Sequence, residues 1–187
     1  MTETREIRAG AFYARAIEAV DDLLSRLRLS HAFVGSVAAS VWAGREVESG
    51  SVDVLAVTSP DQQAQIPMMA SNHGFQVDEA RVESARELDL VPLGFPSPEG
   101  TIRVHVLLAT NALYAKMFGR LADASLGDRT VQVIGAEDFA LLLSMAQDPE
   151  SARLREEVAR NGGEDFDVER FNRTLETIGI GGKAIIR

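Results

Sequence analysis

The chain has 187 residues, with 28 Asp and Glu against 19 Lys and Arg, a net charge of −9. This length predicts one domain with at most a small appendage, and the 45% apolar content is ordinary for a globular protein. Because the sequence has no cysteine, disulfides, thiol nucleophiles, iron–sulfur clusters and cysteine zinc sites are excluded. The acidic charge repels phosphate backbones, so broad nucleic-acid binding is not expected.

Membrane and secretion signals are missing from the sequence. No apolar run reaches the roughly 20 residues that a membrane helix needs. The first six residues carry charges of both signs, and no apolar stretch follows them. We therefore expect a cytoplasmic protein with no membrane partner.

The first third of the chain alternates helical and strand patterns. Apolar residues recur at helical spacing over 11–29, which predicts an amphipathic helix. A short strand is expected over 31–35, followed by a helix over 37–43 that begins at a Gly-Ser turn. The segment 45–50 is polar and loop-like, whereas 51–57 has the β-rich content of a central strand.

The middle of the chain is interrupted by turn formers. A Ser-Pro-Asp signal predicts a helix from Pro60 to about residue 73, with the proline at its first position. A strand is expected over 74–78. The segment 91–100 holds three of the six prolines, so it must be a loop or a sheet edge. A strong strand pattern follows over 101–109.

The remainder of the chain is mostly helical. A helix is expected over 111–121 and a short strand over 130–134. Three further helices are predicted over 137–147, 151–160 and 165–178. The fold class is therefore α/β (α+β), a small mixed sheet flanked by helices. We expect an α/β core over 1–134, a helical region over 135–180 and a tail over 181–187.

The order of the motifs carries the functional information. A strand ends in Gly35 and Ser36, a helix and a polar loop follow, and the next strand bears Asp53. A later strand bears His105, and a Glu-Asp pair then opens a helix. In this order the chain resembles the nucleotidyltransferase-fold superfamily. The likeness is greatest to the bacterial group of nucleotidyltransferase toxins in abortive-infection (type IV) toxin–antitoxin systems.

The resemblance implies a triphosphate held at a glycine turn and Mg²⁺ held by an Asp-x-Asp pair with a third Asp on a neighbouring strand. Counting without a gap from Gly44 places Ser51 at the first Asp and Asp53 at the second. A two-residue insertion would place Asp53 first and Leu55 second. We prefer the ungapped alignment because it avoids an isolated Leu in a polar site. The third position falls on His105, so either alignment leaves one carboxylate.

The resemblance assigns candidate site residues of two kinds. The nucleotide-binding candidates are Gly35, Ser36, Ser51 and Arg45. Asp53 is the candidate catalytic residue and metal ligand, and His105 is a weaker metal candidate. If the protein is active, Arg45 or Arg120 could neutralise developing phosphate charge.

Each candidate also has an ordinary structural interpretation. Ser36 could simply be a helix N-cap. Asp53 could lie at a strand end or pair with Arg45 or Arg103, and His105 could be a core histidine with a backbone partner. The Glu137-Asp138 pair is explained by the dipole of the helix that it opens.

Three functions remain open at this point. The first is a divergent nucleotidyltransferase-fold protein with weak or no transferase activity that retains nucleotide binding. The second is an active enzyme that uses Mg²⁺, held by Asp53, to move NMP from an NTP to an unknown acceptor. The third is a toxin–antitoxin-type interaction protein that acts by binding another protein.

Overall fold

A computed structural model describes residues 5–48, 50–146 and 148–179. Its strands are β1 (Arg5–Glu6), β2 (His31–Phe33), β3 (Ser51–Ala56), β4 (Leu90–Ser97), β5 (Gly100–Leu108), β6 (Leu121–Leu126) and β7 (Arg129–Ile134). Its helices are α1 (Ala11–Arg26), α2 (Gly35–Ala43), α3 (Pro60–Asn72), α4 (Glu79–Ala85), α5 (Ala112–Met117), α6 (Ala136–Ala146), α7 (Pro149–Gly162) and α8 (Val168–Thr177). The predicted tail over 181–187 lies outside the described residues.

The strands form one mixed sheet in the order β1-β6-β7-β2-β3-β5-β4. The β3–β5, β2–β7 and β1–β6 pairs are parallel, whereas β2–β3, β4–β5 and β6–β7 are antiparallel. This arrangement confirms the predicted fold class of a mixed sheet with flanking helices. No helix in the described part of the chain is long and apolar enough to cross a bilayer.

The two faces of β3 and β5 differ in burial, as a period of two requires. Val52, Val54, Val104 and Val106 are fully buried on one face. On that side α1 packs against both strands with its predicted apolar stripe. The opposite face carries partly or fully exposed polar residues toward the start of both strands and the buried Leu55 toward the end of β3, so the sheet is open where the polar residues lie.

The segment 91–100 was predicted to be a loop or an edge, and it forms the outer strand β4 with its turn. The backbone N–H and C=O of Gly94 both form hydrogen bonds with Gln76, on the side of β4 that faces away from β5. Alternate residues of β4 therefore point their backbone N–H groups away from the sheet. Pro92 and Pro96 occupy two of these outward positions, where a missing N–H removes no bond within the sheet.

Two local predictions are wrong. The segment 74–78 is not a strand, because Gln76 makes only an isolated bridge and the Asp78 carboxylate caps the unpredicted helix α4.

The helix predicted over 111–121 is only six residues long, and Leu121 already belongs to β6. That strand contains two alanines and an aspartate, residues with little β preference, and its pairing with β1 and β7 holds it in the sheet.

The C-terminal helices are fastened by two buried carboxylates at the start of α6. Glu137 accepts hydrogen bonds from the Arg170 guanidinium on α8 and from the backbone N–H of Asp167. Asp138 accepts from Arg120. The helix dipole alone therefore does not explain the Glu137-Asp138 pair. Its carboxylates also bind α8 and the Arg120 segment before β6. The hydrogen bond to Glu137 raises the pKa of Arg170 further above its ordinary value.

We expect Arg170→Met to destabilise the fold by about 1–3 kcal/mol, since it leaves the buried Glu137 carboxylate without its cation. Arg155→Met is the matched comparison, because the Arg155 Nε is buried without a hydrogen-bond partner among the described residues. Removing that group should be neutral or stabilising. Urea unfolding measures both effects, and equal losses in the two variants would contradict this account.

Candidate functional site

The turn between β2 and α2 is tied to the backbone of β3 by two hydrogen bonds. The backbone N–H of Val34 donates to the Asp53 carbonyl at 3.0 Å, and the Ser36 hydroxyl donates to the Ser51 carbonyl at 2.8 Å. Val34 occupies the N-cap position of α2 and provides no side-chain cap. The N-cap interpretation of Ser36 is therefore wrong, because its hydroxyl links two elements instead.

Gly35 is required at this turn for two reasons. Its φ of +56° is the left-handed conformation, which side chains with a Cβ rarely adopt. A Cβ at this position would also lie 2.5 Å from Asp53 Oδ2. The glycine thus lets the first turn of α2 approach the Asp53 carboxylate closely.

Asp53 and His105 lie directly opposite each other on the parallel strands β3 and β5. The His105 Nδ1 donates a hydrogen bond of 2.8 Å to Asp53 Oδ1, with side chains that are 30% and 22% exposed. A pairing of Asp53 with Arg45 or Arg103 is therefore not what the structure shows. His105 is likewise not a core histidine with a backbone partner.

The carboxylate partner determines which nitrogen of the imidazole carries a hydrogen. An ionised carboxylate only accepts hydrogen bonds, so Nδ1 of His105 must carry a hydrogen. Nε2 then holds the lone pair of the neutral ring. The pair therefore consists of a carboxylate with one oxygen engaged and an imidazole held in one tautomer.

The two arginines named for phosphate charge are engaged elsewhere. Arg45 donates to Glu157 on α7 at 3.0 and 3.1 Å. Arg120 donates to the buried Asp138 on α6. Both guanidinium groups already have carboxylate partners, so neither is a ready phosphate ligand in this conformation.

Ser51 and Leu55 flank Asp53 on the same side of β3. Ser51 is partly exposed, and its carbonyl is the acceptor of the Ser36 hydroxyl. Leu55 is 1% exposed and lies in the hydrophobic core. The structure thus brings Gly35, Ser36 and Ser51 together around Asp53.

Arg103 belongs to the same surface, although its sequence position suggested only a pairing with Asp53. It lies opposite Ser51 and two residues before His105, so its side chain is on the same face. Arg103 is exposed, and within the described ranges it makes no hydrogen bond or ion pair. The two-residue periodicity of the predicted strand could have identified it.

The donor set does not fit the metal clamp that the resemblance implies. Among the residues that the structure describes, no group of three or more His, Asp or Glu could hold a metal. Asp53 is the one carboxylate at this point of β3 and β5, and one of its oxygens accepts from His105. Since Mg²⁺ prefers several oxygen ligands, this pair is a poor magnesium site.

Comparison with known proteins supports the fold. No protein-family model and no curated protein matches this chain significantly. The crystal structure of an antigenic nucleotidyltransferase-like protein from Paracoccidioides brasiliensis matches with a TM-score of 0.55 at 10% identity, covering 96% of each chain. A structure of a cytoplasmic RNA terminal U-transferase matches with a TM-score of only 0.35 at 14% identity, over 73% of this chain and 39% of that chain. The second score is too low to carry an argument, whereas the first shows a nucleotidyltransferase-like fold.

We expect Gly35→Ala to destabilise the protein more than Gly44→Ala does. Both glycines have positive φ, so each substitution should cost about 1–2 kcal/mol of backbone strain. A Cβ at Gly44 meets no atom within 4 Å, whereas one at Gly35 meets Asp53. That contact should add about 1–3 kcal/mol, measured by urea unfolding. Equal losses would show that the close approach to Asp53 is absent.

Proposed function

We propose that this chain is a divergent nucleotidyltransferase-fold protein that binds a nucleotide and has weak or no transferase activity. The observation that carries the proposal is the Asp53–His105 hydrogen bond. It occupies the point where the resembling family places its second and third carboxylates.

Loss of transfer follows from the charge that the reaction develops. Nucleotidyl transfer needs cations at the attacking and leaving oxygens, and divalent metals supply them when carboxylates hold the metals. Here His105 replaces a carboxylate and its Nδ1 is bonded to the remaining one, while Ser51 provides no negative charge. Without a clamp for two metals, the chemical step loses its main source of stabilisation.

Retained nucleotide binding is supported by the turn at the start of α2. The first backbone N–H groups of a helix have no partner within the helix, and they favour phosphate. In α2 the N-cap residue is Val34, whose side chain makes no capping hydrogen bond to these groups. Gly35 brings this helix end against Asp53, so a nucleotide held there would contact the site on β3.

The proposal predicts nucleotide binding without nucleotidyl transfer. An NTP at about 100 times its dissociation constant should stabilise the fold by roughly 2.7 kcal/mol, which a thermal-shift titration detects. With α-labelled NTPs, little or no label should pass to protein, RNA or small acceptor hydroxyls. Rapid, multiple-turnover transfer that depends on Mg²⁺ and disappears in Asp53→Asn would instead establish the active-enzyme alternative.

A toxin–antitoxin-type interaction protein is the second candidate. Its support is a groove of about 600 Å³ between α3 and α4, lined partly by Pro67, Met68 and Val82. Met68 is 61% exposed, and the net charge of −9 would suit a basic partner. No thermal shift with any NTP, together with a stable complex with a protein encoded nearby, would favour this candidate.

A further inference from the structure

The open face of the sheet presents its side chains in two adjacent rows. One row contains Asp53, His105 and Pro92, which are register partners across β3, β5 and β4. The next row contains Ser51, Arg103 and Gly94 in the same order. Neighbouring strands are about 5 Å apart and alternate residues about 7 Å apart, so both rows fit under one polyphosphate chain.

Arg103 is the cation of this face. It is exposed and has no acceptor in the described part of the chain, unlike Arg45 and Arg120. On β4 its register partner is Gly94, which has no side chain to cover it. Thr101, the next residue of β5 on this face, donates its hydroxyl to Gln76 at 3.0 Å and adds no charge. An arginine in this setting can offer its paired N–H groups to phosphate oxygens.

The charge on this face differs from that of a three-carboxylate clamp. Three carboxylates repel a polyphosphate until divalent cations enter between them. Here Asp53 and Arg103 carry opposite charges, and His105 engages one oxygen of the carboxylate. The face therefore needs no bridging cation before it can accept an anion.

We infer that the face formed by Asp53, His105 and Arg103 binds a polyphosphate chain directly, through Arg103, without a bridging divalent metal. For a nucleoside polyphosphate this rests on the proposed function, whereas inorganic triphosphate tests the phosphate chemistry by itself. Arg103 is a binding residue, and its positive charge balances the single negative charge of the Asp53–His105 pair on the same face.

Isothermal titration calorimetry with ATP and with inorganic triphosphate, each in EDTA and in Mg²⁺, tests this inference. Both ligands should bind in EDTA, and Arg103→Gln should weaken them about tenfold to a hundredfold. Arg153→Gln removes the same charge from an exposed residue of α7 and should leave binding unchanged.

His105→Asp provides a second test in the opposite direction. It places a second carboxylate across from Asp53, which should abolish binding in EDTA and make binding depend on Mg²⁺. Circular dichroism and the melting temperature confirm that each variant is folded before its binding is compared.

The outcomes separate this inference from the proposed function. Binding of ATP only in Mg²⁺, unaffected by Arg103→Gln, would overturn the inference and leave nucleotide binding intact. If inorganic triphosphate binds in EDTA and needs Arg103 but ATP does not bind, the result would support the inference. The same result would reject nucleotide binding as the proposed function. Binding of neither ligand under any condition would reject both.

Discussion

The register between β3 and β5 determines which polar side chains lie next to each other on the open face of the sheet. It places Asp53 directly opposite His105, and a hydrogen bond of 2.8 Å joins the two side chains. The same register puts Ser51 opposite Arg103, and the turn at Gly35 packs against the Asp53 carboxylate. A slip of one residue would turn these side chains to the buried face, where valines now fill the core. The packing of the valines on the buried face therefore fixes the register that places the polar side chains together on the opposite face.

The fold is nucleotidyltransferase-like, and the proposed loss of transfer depends on the charges at the centre of the sheet. The glycine turn and the start of α2 favour binding of an anionic ligand. Among the described residues, the surface beside them has one carboxylate, one imidazole and one arginine without a hydrogen-bond or ion-pair partner. Because anion binding needs positive charge and metal-assisted transfer needs carboxylates that hold the metal, we propose that this chain retains the first and has little or none of the second.

The sequence was most informative where local patterns are strong. The apolar stripe of α1 and the alternation in β5 both predicted elements that the structure confirms. Local patterns failed for β6, which depends on partners on both sides, and for 74–78, where Gln76 makes only an isolated bridge with Gly94 before Asp78 caps α4. The site shows the same limit. The turn at Gly35 and the strand with Asp53 were predicted, but the partner of Arg45 is Glu157, more than a hundred residues away. No local pattern encodes such a contact.

The most direct test of the account is the tautomer of His105, read by ¹⁵N NMR of the imidazole signals and assigned with His105→Gln. The chain has three histidines, so one variant is sufficient for the assignment. In the neutral ring we predict a protonated Nδ1 and an unprotonated Nε2, with no change on adding Mg²⁺ and loss of this pattern in Asp53→Ala, which removes the acceptor. A neutral ring with its hydrogen on Nε2 and none on Nδ1, or a metal-dependent shift of the ring nitrogens, would contradict the Asp53–His105 hydrogen bond.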